Sequence, residues 1–140
     1  MNVRLVVLLS LLGLVIGFAS VAGFLQSGAE TGSYCILAVV CATLIARLVP
    51  SRHFLHGFLT GFLAAVLGTL VEVLFFDRFL ANNPKAVEAF QRIPSDVPPR
   101  VLVILMTPIV AACLGVFTGF LAWAAFKAFG RRSAPPVAPA

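Results

Sequence analysis

The sequence predicts an all-α, polytopic membrane protein with four transmembrane helices and a short interfacial amphipathic helix between the third and the fourth. Of its 140 residues, 61% are hydrophobic and only 11% are charged, whereas soluble domains are about half apolar and about a quarter charged. The charges also cluster at a few boundaries between long apolar runs. These observations argue against a disordered, collagen-like or disulfide-rich chain and against a module that binds nucleic acid.

Four apolar runs are long enough to cross a bilayer core about 30 Å thick, which requires roughly 20 helical residues. They cover residues 5–24, 31–49, 54–76 and 101–126. Backbone groups in hydrocarbon need hydrogen-bond partners within the segment, so each run is predicted to be a helix. The runs form one four-helix transmembrane domain, residues 1–130, with an outer loop at 77–100 and a flexible, Pro/Ala-rich cytoplasmic tail at 131–140.

The first run has a second interpretation. Arg4 precedes an apolar stretch that ends in Ser20-Val21-Ala22 before Gly23, as in a secretory signal peptide with a small-residue cleavage site. The apolar run continues beyond that site through Phe24, which favours a retained helix. Both a retained helix and a cleaved signal peptide therefore stay open at this point.

The distribution of lysine and arginine predicts that both termini lie in the cytoplasm. With four helices, the N-terminus, the second loop and the C-terminus share one side. That side carries Arg4, Arg47, Arg52, Lys127, Arg131 and Arg132. The other side carries Arg78, Lys85, Arg92 and Arg100, spread through the third loop among acids. Basic residues favour the cytoplasmic side, and the composition is typical of a small bacterial inner-membrane protein.

The third loop is predicted to contain one short helix on the outer interface. Asn83 suits the N-cap and Pro84 the first helical position. Apolar residues then recur at every third position, at Val87, Phe90 and Ile93, which gives the helix an apolar face. Such a helix either docks a partner or simply connects two spans.

Small residues recur at helical spacing in all four runs. In lipid, small residues let helix backbones approach one another closely. The first, third and fourth runs contain GxxxG pairs, and the second has alanines at the same spacing: Gly13/Gly17, Gly57/Gly61, Gly115/Gly119 and Ala38/Ala42/Ala46. These glycines are the predicted helix-packing residues.

The third run shows most clearly which face should be buried. At about 100° per residue, its small residues and one acid fall on a single face: Gly57, Gly61, Ala65, Gly68 and Glu72. The eight residues that begin at Gly57 recur at Gly115 with six identities. We therefore expect the third and fourth helices to cross at these two segments in antiparallel orientation.

Glu72 is the only acid that these boundaries place well inside a span. An ionisable residue within the membrane is a functional candidate, because burying its charge is costly unless it is neutralised or paired. One hypothesis is that Glu72 handles protons or cations. The alternative is a structural ion pair with Arg100, at the start of the fourth helix, or with Arg78.

The sequence predicts neither an enzyme nor a cofactor or metal site. The three cysteines have no metal-binding or disulfide spacing. His53 and His56 lie near the membrane surface, and no acid or cysteine accompanies them. No GxSxG, HExxH or phosphate-binding glycine loop occurs.

Two classes of function remain. The first is a structural or accessory protein whose small-residue stripes bind other transmembrane helices, of a second copy or of a larger membrane protein. The second is a small oligomeric carrier or channel for protons, cations or small solutes that uses Glu72. The scarcity of buried polar groups favours the first class. Expected partners are the lipid bilayer and other helices, and no nucleic acid.

Overall fold

The computed structural model describes residues 1–26, 28–94 and 96–129, which form seven α-helices and no β-strand. The helices are α1 Val3–Ser10, α2 Leu12–Val21, α3 Gly28–Leu48, α4 His53–Leu74, α5 Phe76–Asn82, α6 Pro84–Gln91 and α7 Pro99–Phe129. The predicted all-α class is confirmed for this part of the chain. The predicted flexible tail, residues 131–140, lies outside the described residues.

Four stretches of the described chain are long and apolar enough to cross a membrane, as predicted. These spans are Val3–Val21 (α1 and α2), Gly28–Leu48 (α3), His53–Leu74 (α4) and Pro99–Phe129 (α7). The first span is interrupted at Leu11, which separates α1 from α2. The second begins at Gly28 rather than at residue 31, so it includes Glu30.

The third span is shorter than predicted, and a further helix follows it. α4 ends because Phe75 leaves the helical backbone region, with φ −109° and ψ 37°. On α5, Phe76 and Phe79 are buried in a cluster with Val21 and Val71. Burying two aromatic rings stabilises the turn away from the helix axis, which the helical hydropathy pattern does not reveal.

The helix predicted in the third loop is present as α6, and it begins at Pro84. Asn83 occupies the N-cap position, as predicted, although its side chain makes no capping hydrogen bond. Its Nδ2 atom instead donates to the carbonyl oxygens of Ser20 and Phe79, each at 2.9 Å. Asn83 thereby attaches the loop to the end of the first span.

α4 lies at the centre of the bundle and contacts the other three spans. The first span runs parallel to α4, since Gly13 approaches Ala64 and Gly17 approaches Gly68. α3 and α7 run antiparallel to α4 and also pack against each other. This central position places every buried side chain of α4 against a neighbouring helix.

The two ends of the bundle are formed by different segments of the chain. The backbone N–H of Asn2 donates to His56 Nε2 at 2.9 Å, and the ring of His53 stacks on Phe126 with centroids 3.8 Å apart. The N-terminus, the start of α4 and the end of α7 therefore share one end, here called the terminal end. At the opposite end, here called the loop end, α5 packs on Val21.

Small side chains fill the interior, while large apolar side chains face outward. The buried positions of α4 and α7 are mostly glycine, alanine and threonine. Leu8, Ile36 and Ile109, by contrast, are 64%, 68% and 58% exposed. Soluble proteins generally bury such residues. The distribution is the one expected of helices surrounded by lipid, where close backbone approach rather than leucine burial drives association.

Candidate functional site

The structure brings the glycines of α4 and α7 into one antiparallel crossing. A Cβ atom at any of the four would lie 2.7–2.9 Å from a backbone carbonyl oxygen of the facing helix: Gly57, Gly61, Gly115 and Gly119. Real Cβ atoms do not approach oxygen so closely, so these positions accept only glycine unless the helices separate. The two backbones are therefore in direct contact at this crossing.

The remaining predicted packing glycines join the first span to α4. A Cβ on Gly13 would collide with the carbonyl group of Ala64, and one on Gly17 would lie 2.5 Å from the carbonyl oxygen of Gly68. A Cβ on Gly68 would itself collide with the hydroxyl group of Tyr34. All seven predicted glycines thus face other helices of this same chain.

Two carboxyl groups meet near the loop end of the bundle. Glu72 on α4 is 8% exposed, and its carboxyl group lies within hydrogen-bonding reach of the Glu30 carboxyl group on α3 and of the Ser20 hydroxyl on α2. The Ser20 hydroxyl donates to Glu30 Oε2 at 3.0 Å. Tyr34, one helical turn after Glu30, lies close to both acids. We call Ser20, Glu30, Tyr34 and Glu72 the acid cluster.

The acid cluster has no cationic partner among the described residues. The ion pair found among the described residues joins Glu88 on α6 to Arg92, directly after that helix, with N and O 3.8 Å apart on exposed side chains. Glu72 Oε1 is buried and has no hydrogen-bond partner. Two adjacent negative charges in a partly buried site are unfavourable, so a proton or another cation would stabilise the pair.

The predicted ion pair between Glu72 and Arg100 is not formed in the described structure. The guanidinium group of Arg100 donates to the carbonyl oxygen of Val73 from Nε at 3.0 Å and from the terminal nitrogen Nη2 at 2.6 Å. It also lies 5.9 Å from the centre of the Phe76 ring. The last carbonyl groups of a helix lack partners within the helix and attract cations. The early end of α4 therefore binds Arg100 in place of the carboxylate.

Glu30 is the functional candidate that the sequence reasoning missed. A predicted second span starting at residue 31 excluded it, whereas α3 begins at Gly28 and includes it. The alanine stripe of that span begins at Ala38, and continuing it backward in steps of four reaches Tyr34 and then Glu30. Glu72 is thus not the only acid within a span. The four-residue spacing of the alanine stripe is the sequence pattern that could have identified Glu30.

Backbone groups beside the acid cluster are held by two loop asparagines. Asn82 Nδ2 donates to the carbonyl oxygen of Val21 at 2.8 Å, and Asn83 Nδ2 donates to that of Ser20. These bonds fix the end of α2, while the Ser20 side chain turns to the acids. Asn83 Oδ1 is a second buried acceptor without a partner. Unpartnered buried acceptors cost about 1–3 kcal/mol each.

A cavity of about 370 Å³ adjoins the acid cluster between α3, α4 and α7. Glu30 and Tyr34 lie in its wall, together with Thr69 from α4 and Phe117 from α7. Cys35 and Cys113 also line it, and both are exposed, so the cavity opens sideways between α3 and α7. A carboxylate, an aromatic hydroxyl and apolar walls therefore converge on one accessible space.

The two histidines lie at the terminal end, far along α4 from the acids, and both bond to backbone groups. His53 Nε2 lies 2.8 Å from the carbonyl oxygen of Val49. His56 Nδ1 lies 2.9 Å from that of Arg52, and its Nε2 accepts from Asn2. Within the described residues, no three His, Cys, Asp or Glu side chains gather as metal ligands.

Comparison with protein-family models, curated proteins and solved structures found no match for this chain. Its function must therefore be inferred from the acid cluster, the adjoining cavity and the glycine crossings. Of the predicted residues, the structure joins Glu72 to Glu30 and separates it from Arg100. The predicted glycines join α2 and α7 to α4.

Proposed function

We propose that this chain is an integral membrane protein that binds a proton or another cation at Glu30 and Glu72 and carries it across the bilayer. The observation that carries the proposal is the pair itself. The buried carboxyl group of Glu72 and the half-buried carboxyl group of Glu30 lie within hydrogen-bonding reach of each other. Glu72 Oε1 is unpartnered, and no described lysine or arginine neutralises the pair. Ionisable groups within a span typically mark ion or proton pathways.

The glycine contacts weaken the alternative of an accessory protein that binds partner helices. That alternative relied on small-residue stripes being available to another chain, whereas all seven glycines face helices of this chain. The accessory function stays a second candidate because α7 is mostly exposed, with large side chains such as Ile104, Leu105 and Phe120 facing outward. A second copy or a larger membrane protein is the partner this face favours.

The proposal includes an orientation in a bacterial inner membrane. Both termini and the terminal end lie in the cytoplasm, while the acid cluster and α6 lie at the outer side. The excess of basic residues near the terminal end supports this orientation. Because four closely packed helices enclose no wide passage, we propose that several copies assemble to form the carrier or channel. The function is transport without catalysis and without a cofactor.

Flux through reconstituted vesicles tests the proposal. The purified protein is inserted into liposomes that contain a pH-sensitive dye, and a pH step or a cation gradient is applied. Glu72→Gln and Glu30→Gln should each abolish the flux, because each removes one of the two carboxyl groups that together bind the cation. Glu88→Gln, on an exposed face of α6, is the matched control and should leave flux unchanged.

Two results would contradict the transport function. Wild-type vesicles with no more flux than protein-free vesicles would remove its basis, and so would full flux in both glutamine variants. Native mass spectrometry of protein extracted gently from its host membrane separates the two candidates further. A homo-oligomer supports transport, whereas stoichiometric association with an unrelated, larger polypeptide supports the accessory function.

A further inference from the structure

We propose that the cavity between α3, α4 and α7 binds a small organic cation in which an ammonium group is joined to an apolar body. The inference rests on the proposed function, because it uses the same acid pair. It adds the chemical class of the ligand and the place where the ligand lies. The cavity volume of about 370 Å³ falls within the range of small-molecule sites, about 300–1,000 Å³.

The charge of the site comes from the acids at one side of the cavity. Glu30 lies in the cavity wall, and Glu72 stands behind it, 92% buried (8% exposed) and with Oε1 unpartnered. Tyr34 and Ser20 are neutral neighbours that face the same acids. Arg100, a basic residue that begins α7, is already bonded to the carbonyl of Val73. A cation that enters the cavity therefore meets negative charge without a competing side chain.

The other walls of the cavity suit an apolar body. α7 contributes Val110, Leu114 and Phe117, and α4 contributes Ala65. An aromatic ring adds attraction for an alkylammonium group, because a cation over a ring face is stabilised by roughly 0.5–2 kcal/mol. Burial of a hydrocarbon body contributes about 25 cal/mol per Å² of apolar surface. Charge at one side and apolar walls elsewhere match an organic cation of mixed character.

A bare metal ion fits this site less well than an organic cation. Divalent metals take four to eight ligands at fixed distances, and no three His, Cys, Asp or Glu side chains gather in the described chain. An alkylammonium group needs only an anion and an apolar surface. A proton alone would not require a cavity of this size.

The opening of the cavity indicates how the ligand enters. Cys35 on α3 and Cys113 on α7 both line the cavity and are both exposed. These positions lie well inside their spans, so the opening faces the lipid rather than water. A cation with an apolar body dissolves in the bilayer and reaches this opening by lateral diffusion, whereas an inorganic ion does not.

Calorimetric titration of the full-length protein in detergent micelles tests the inference, with benzyltrimethylammonium as the probe. Its neutral carbon isostere, neopentylbenzene, has nearly the same shape without the charge. The cation should bind, and the isostere should bind at least about tenfold more weakly, the factor that corresponds to losing one modest charge interaction. Equal binding of both compounds, or no binding of the cation, would overturn the inference.

Two variants locate the bound cation. Glu30→Gln should weaken binding about tenfold or more by removing charge, and Cys35→Phe should weaken it by filling the cavity. Val39→Phe is the matched control, because Val39 lies one turn further along α3, is exposed, and does not line the cavity. Circular dichroism and the melting temperature verify that each variant is folded. Equal affinity in Cys35→Phe and Val39→Phe would place the ligand elsewhere and contradict the inference.

The binding data and the flux data can fail separately. Proton flux that depends on Glu72, without binding of benzyltrimethylammonium, would overturn the organic-cation site and leave the proposed transport function standing. Binding that depends on Glu30, without any flux, would support the site and overturn transport. Loss of both would return the accessory function to first place.

Discussion

The carboxyl groups of Glu30 and Glu72 belong to different spans, yet they lie within hydrogen-bonding reach of each other near the loop end. The Ser20 hydroxyl, from a third span, donates to one of them. Because three helices contribute to this contact, its geometry depends on how the bundle is packed. Substitutions of the acids and substitutions of the packing glycines should therefore have different effects on the stability of the fold.

Neutralising either acid should not harm the fold. Glu72→Gln and Glu30→Gln each remove one of two adjacent negative charges and supply an amide donor to the remaining carboxylate. We expect the free energy of unfolding of each variant to equal that of the wild-type protein or to exceed it by up to about 1 kcal/mol. Combining both should add nothing, because the repulsion is removed only once. Thermal unfolding in detergent measures this, with Glu88→Gln as the control.

Strong destabilisation by either single glutamine variant would contradict this view of the pair. It would mean that the carboxylate makes a stabilising interaction, such as an ion pair, that the described structure lacks. The same variants are used in the flux experiment, so stability and transport can be compared in one set of proteins.

The glycine crossings should tolerate no side chain. Gly61→Leu and Gly119→Leu place atoms where the facing backbone lies, and overpacking costs typically 1–3 kcal/mol or more. Gly32→Leu is the matched control, because no atom lies within 4 Å of a Cβ built there. We expect a lower melting temperature in detergent for the first two variants and little change for the third. Equal melting temperatures in all three would show that the crossing is wrong.

Arg100 should act on stability and not on the acids. Arg100→Gln leaves the carbonyl group of Val73 without its guanidinium donor and should lower the unfolding free energy by about 1 kcal/mol. Combined with Glu72→Gln, the effects should add, because the two side chains share no contact in the described structure. Arg92→Gln, which removes an exposed pair on α6, should change little. Strongly non-additive effects of the Arg100 and Glu72 substitutions would indicate that the two side chains form an ion pair and would contradict this prediction.

Asn83 should be among the most sensitive polar residues of the loop. Its side chain is 3% exposed and donates to Ser20 and Phe79. Asn83→Ala removes both bonds and leaves two carbonyl groups without this donor, so we expect a loss of about 1–3 kcal/mol in thermal unfolding. Asn2→Ala, at an exposed helix start, should cost less. The reverse order would contradict the attachment of the loop to the first span.

The first span should be retained in the mature protein. Gly13 and Gly17 pack directly on α4, and Ser20 bonds to Glu30, so removal of the first span would expose the centre of the bundle. Intact-mass measurement of the protein from its host membrane should therefore include residues 1–22. A mature chain that begins at Gly23 would establish the signal-peptide interpretation in its place.

The sequence predicts the four spans well, because runs of twenty apolar residues have few alternatives. The repeated octapeptides at Gly57 and Gly115 also indicated which helices meet. Helix boundaries are harder to predict, since the first three residues of α3 decide whether Glu30 belongs to a span. No local pattern distinguishes a helix that ends at Leu74 from one that continues, because the burial of Phe76 depends on residues distant in the chain. The contact of Arg100 could not be predicted either, because Arg100 bonds to the carbonyl group of Val73 at the end of α4.

The seven internal glycines also bear on how this chain can change over evolutionary time. Each sits against a neighbouring backbone, so a single substitution there disturbs two helices at once and has no simple compensating change. The outward aliphatic residues, such as Leu8 and Ile36, are more than half exposed and can be exchanged among apolar residues. Divergent descendants of this chain should therefore keep the glycine positions and the two acids while the lipid-facing surface drifts almost freely.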